Sequence, residues 1–110
     1  WKSASRGDRR RLMRFFSAAV LHGRSVVVIG GSIDFKTALN TTGVLDLNDA
    51  ATTETSFTAG PTMATARCGC AAVRLDARRV LVVGGSFSAF VSGSLDTTEI
   101  LDLETMRFSA

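Results

Sequence analysis

Residues 26–32 read V-V-V-I-G-G-S and residues 80–86 read V-L-V-V-G-G-S. Four aliphatic residues closed by two glycines are too few for a buried helix. Such a run suits a strand covered on both faces, because a half-exposed strand alternates. The closing pairs, Gly30-Gly31 and Gly84-Gly85, let the backbone take positive φ and let another segment come close. The surroundings recur as well. Upstream, R-F-F-S-A-A-V at 14–20 matches R-C-G-C-A-A-V at 67–73. Downstream, a Thr pair stands at 41–42 and 97–98, and L-D-L stands at 45–47 and 101–103. The arginines are 53 residues apart, the glycine pairs 54 and the L-D-L segments 56. The chain is a tandem repeat, and one unit of such an array must stack on a neighbour to bury its apolar faces.

Each unit reads as four short strands. The first covers 18–21 and turns at His22-Gly23. The second is 26–29, matched by 80–83. A polar loop runs from Ser32 to about Thr41, and from Ser86 to about Asp96. The third strand is 44–47, matched by 100–103. The fourth holds Phe57 or Phe108. Asp46 and Asp102 stand where a carboxylate can bond its own following backbone and open a turn. No segment carries a helical pattern. The expected class is all-β, and a four-stranded antiparallel sheet covered on both faces is a propeller blade.

In their order along the chain these features resemble the Kelch repeat: a β-branched strand ending in Gly-Gly, a hydrophobic-Asp segment, an aromatic, then P-x-M-x-x-x-R. The resemblance covers 14–110. It places Gly30, Gly31, Gly84 and Gly85 at the family's diglycine, and Met63, Arg67 and Arg14 at its Met and Arg. Asp46 and Asp102 fall in the hydrophobic-Asp segment. Phe57 and Phe108 stand where the family usually has tryptophan, and Leu45 and Leu101 replace a tyrosine. The resemblance implies two four-stranded antiparallel blades of a Kelch-type β-propeller, a fragment of a closed ring commonly of six or seven. The expected organisation is a basic leading segment at 1–13, one repeat at 14–66, and a second, shortened repeat at 67–110.

Two blades cannot close a ring. Four strands about 4.8 Å apart and about 17 Å long give faces of roughly 300 Å². An open pair leaves two such faces, roughly 600 Å², at the upper end of what a soluble monomer exposes. Further blades in the same chain, or self-association, are expected to cover them.

The formal charge of +3 is unevenly spread. Residues 1–14 hold six basic side chains against Asp8; the rest holds seven basic and nine acidic. The repeats therefore lack the broad basic face of a nucleic-acid binder. The longest apolar runs are four residues, so no membrane partner is expected. Cys68 and Cys70 would share a face of a continuous strand, poorly placed to bridge each other. Reduced thiols fit a cytoplasmic location.

Catalysis has little to stand on. The sequence has no tyrosine and one histidine, His22. Some Kelch-like propellers are copper oxidases whose site uses both residue types, and this segment cannot supply that set. Asp34, Asp46, Asp76, Asp96 and Asp102 fall at turns or strand ends. The glycine pairs lack the strand-to-helix context of a nucleotide site. No catalytic residue, metal or cofactor is expected, and the chain is expected not to be an enzyme. Arg6-Gly7-Asp8 is a chance-level match, Arg9-Arg10-Arg11 suits a solvated connector, and Asn40-Thr41-Thr42 is a glycosylation acceptor only in a secreted protein.

The loops after the glycine pairs differ between copies where the strands agree, so function is sought there. Asp34, Phe35 and Lys36 in the first, and Phe87 and Phe90 in the second, offer aromatic anchors with polar neighbours. The expected function is a noncatalytic protein-interaction scaffold binding an unidentified protein through these loops. The alternative is a structural part of a larger propeller enzyme, oxidase-like or epimerase-like, with its active residues elsewhere.

Overall fold

The computed structural model describes residues 14–47, 57–88 and 94–110. Eight strands follow in order: β1 (Ala18–His22), β2 (Ser25–Ile29), β3 (Thr42–Asp46), β4 (Phe57–Ala59), β5 (Ala71–Arg74), β6 (Arg79–Val83), β7 (Thr98–Asp102) and β8 (Arg107–Ser109). They form two four-stranded sheets, β1-β2-β3-β4 and β5-β6-β7-β8, antiparallel throughout. There is no α-helix among the described residues. The all-β class and the two blade-like sheets are as expected. The third strand begins two residues early, because the second Thr of each pair enters the ladder opposite Ile29 or Val83. The leading segment 1–13, the insertion 48–56 and Phe90 lie outside the described residues.

The register aligns the copies residue by residue. Val27 stands between Val20 and Val44; its counterpart Leu81 stands between Val73 and Ile100. Alternation then puts Val27 and Ile29 on one face of the first sheet and Val26 and Val28 on the other. The core joins Val27 and Ile29 to Val80, Val82 and Leu101, with Ala18, Val20, Val44 and Ala72 packed around them. One face of the first sheet thus meets the opposite face of the second. β1 and β5 approach most closely, so the blades converge at their first strands.

Burial follows from this head-to-tail stacking. Ile29 is fully buried, whereas its counterpart Val83 is 36% exposed. The expectation that both apolar runs are covered on both faces therefore fails for β6, whose outer face meets no described sheet; in β2, Val27, Val28 and Ile29 are buried and Val26 is half-buried, although no described sheet covers its outer face either.

The turns between sheets are tied by backbone. Gly31 N–H donates to the Arg67 carbonyl at 2.8 Å, Arg67 N–H to Leu39 at 3.0 Å, and Met63 N–H to Asn40 at 2.8 Å. A Cβ on Gly30, at φ +66°, would lie 2.4 Å from the Arg67 carbonyl oxygen. Glycine is required there both by conformation and by the approach of the connector.

Candidate functional site at the glycine-pair end of the blades

Each blade begins with an arginine that reaches back to its own glycine pair. Arg14 Nη1 donates to the carbonyls of Gly30 (2.9 Å) and Thr41 (3.0 Å), and Nη2 to Thr41 Oγ1 (3.0 Å). Arg67 repeats the set on Gly84 (3.0 Å), Thr97 (2.8 Å) and Thr97 Oγ1 (3.0 Å). The planar guanidinium suits this task, because its donors fan out in a fixed plane. The arginines therefore pin the start of each blade to its second and third strands.

Arg67 has an additional partner. It is fully buried, and it ion-pairs with Glu99 at 3.2 Å. The Glu99 carboxylate also accepts the backbone N–H groups of Ala64 (2.8 Å) and Thr65 (3.1 Å). One buried acid thus holds the connector between blades. Sequence reasoning missed Glu99, because the corresponding residue in the first copy is Gly43, which lies under the Phe57 ring. Its signal was local: a charged residue directly before the apolar pair Ile100-Leu101 of the third strand.

Above this frame sit the loops. Asp34 is occupied with its own loop: Oδ1 accepts the N–H groups of Lys36 and Thr37 at 2.9 Å each and the Ser32 hydroxyl at 3.0 Å. The Thr37 and Lys36 amides hold its carboxyl below the usual range. Asp34 shapes the turn that presents Phe35. The Phe35 ring stacks on Phe15, with centroids 4.1 Å apart, and meets Phe16 edge-on at 5.9 Å. All three rings keep substantial exposure. Lys36 is exposed beside them. Phe87 is 56% exposed on the neighbouring loop, which is tied to the first where Ala38 N–H donates to the Phe87 carbonyl at 3.0 Å. Phe35 and Phe87 thus sit on adjoining loops of the two blades.

Two of these aromatics carry backbone strain. Phe16 (φ 62°) and Phe35 (φ 64°) are left-handed, a conformation costing a bulky residue about 1–2 kcal/mol. The counterpart of Phe16 in the second copy is Gly69, at φ +74°. The first copy thus holds an exposed ring where the backbone favours glycine. Gly69 also corrects the reading of Cys68 and Cys70, which flank a bend and not a continuous strand; both thiols are free.

The opposite end is built from charge-stabilised turns. Asp76 accepts from Arg79 Nε and from the Arg78 and Arg79 amides. Asp102 pairs with Arg78 at 2.8 Å and accepts the Glu104 and Thr105 amides. The side-chain bond from Arg79 leads in lowering the Asp76 pKa to about 2, and that from Arg78 does so for Asp102, also about 2.

No protein-family model matches the chain, and no curated protein sequence matches it. The Kelch resemblance accordingly rests on the residues quoted for it. Solved structures do match. The chain is similar to a fungal alcohol oxidase of the AA5 family, solved in complex with copper, at TM-score 0.68 and 15% identity. The likeness covers 87% of this chain and 21% of that one, so the chain spans about a fifth of its neighbour's length. At that identity the likeness shows the fold. It nevertheless overturns the expectation that the chain is not an enzyme, since a similar pair of sheets stands within an oxidase. The expectation failed because it was drawn from side chains: two blades can lack reacting groups while other parts of the protein supply them.

Proposed function

We infer that residues 14–66 and 67–110 are two Kelch-type blades in the framework of a larger propeller enzyme of the oxidase kind. The observation that carries this reading is the likeness to the alcohol oxidase over nearly the whole of this chain and a fifth of that one. The open outer faces of the sheets support it, because they are built to be covered. The described residues do not fit a copper site. No three of His, Cys, Asp or Glu converge among them, and the sequence holds no tyrosine. No chemical step through a metal is assigned to this segment. Its part is to hold the glycine-pair loops in place: Arg14 and Arg67 lock the blade starts, and Glu99 locks the connector.

A second reading, protein binding at the same end, is favoured by the exposed rings of Phe15, Phe16, Phe35 and Phe87. Aromatic anchors presented by paired loops suit an interface hot spot.

The test is made on the full-length protein encoded by the complete reading frame. Loaded with copper and given primary alcohols, it is expected to consume oxygen and release peroxide. A copper-loaded full-length protein that oxidises no alcohol would overturn the oxidase reading.

A further inference from the structure

We draw no further inference here: the strongest candidate, the exposed aromatic cluster of Phe15, Phe16 and Phe35 with Phe87 on the adjoining loop at the glycine-pair end, belongs to the site already described, and nothing in the structure shows what covers it.

Discussion

Replacing Arg67 by methionine tests the frame that supports everything else. Methionine keeps the apolar stem and removes the guanidinium. The loss strips donors from the Gly84 and Thr97 carbonyls and from Thr97 Oγ1, and removes the cation beside Glu99. Glu99 is left buried, holding only the Ala64 and Thr65 amides among its bonds described above. Breaking one side of a buried pair costs about 3–5 kcal/mol, because the remaining charge has no partner. A domain of ordinary stability has about 5–15 kcal/mol to lose. Arg67→Met should therefore lower the urea midpoint severely at unchanged slope, followed by far-UV circular dichroism.

Two companions make the cycle specific. In Arg67→Met/Glu99→Gln the leftover group is neutral and still accepts an amide. The double variant should be more stable than Arg67→Met alone, with a coupling of about 0.5–3 kcal/mol. Arg14→Met removes the matching bonds to Gly30 and Thr41 from a more exposed site whose Glu99 counterpart is Gly43. It should cost about 1 kcal/mol. An Arg67→Met chain within about 1 kcal/mol of wild type, or a double variant no better than the single, refutes the assignment of Arg67 and Glu99 as the clamp of the connector.

Other outcomes follow from the same geometry. Gly30→Ala and Gly84→Ala impose the same left-handed strain, but only the first meets the Arg67 carbonyl; Gly30→Ala should have the lower unfolding midpoint, and equal midpoints would show that the close approach carries no weight. Phe57→Ala removes a buried ring packed over Gly43 and should cost about 3–5 kcal/mol. Phe87→Ala removes an exposed ring and should stay within about 0.5 kcal/mol, while weakening capture of any partner bound at the loops; unchanged capture would remove Phe87 from that surface. Asp76 and Asp102 have folded pKa values near 2, below the unfolded range. Their stabilisation is complete above about pH 4 and is lost as pH falls through about 2. Hydrogen exchange at the Arg78, Arg79, Glu104 and Thr105 amides should accelerate over that window relative to model-peptide rates, and unchanged protection would deny the carboxylates this role.

How much of this could be read in advance depends on whether a residue's duty is local. The glycine pairs, the strand runs and the Asp102 turn were legible, because each is set by neighbours within a few positions. The stacking of two blades was legible from the repetition itself. The single-sided burial of β6 was not, since it depends on what lies across a face and not on the run V-L-V-V. The loop phenylalanines were found as candidates, but not their arrangement: Phe35 is held by Phe15, a residue 20 positions away.

Comparing the copies locates what repetition hides. Where both carry the same residue, as with Arg14 and Arg67, the shared duty is to hold the blade start on its own glycine pair. Where they differ, the difference has a physical direction. Glu99 in place of Gly43 adds a carboxylate on the covered side of the second sheet, where a connector must be tied down. Phe16 in place of Gly69 does the opposite, accepting strain of about 1–2 kcal/mol to keep a ring exposed beside Phe15 and Phe35. Strain retained at an exposed position gains nothing from burial, so packing alone does not account for it. The glycine-pair end of the first blade is therefore where binding is best sought, and Phe16→Gly is the change that separates the two accounts. A role confined to packing predicts unchanged or greater stability and unaltered capture of any ligand at these loops. A role in binding predicts that the same relief of strain weakens capture.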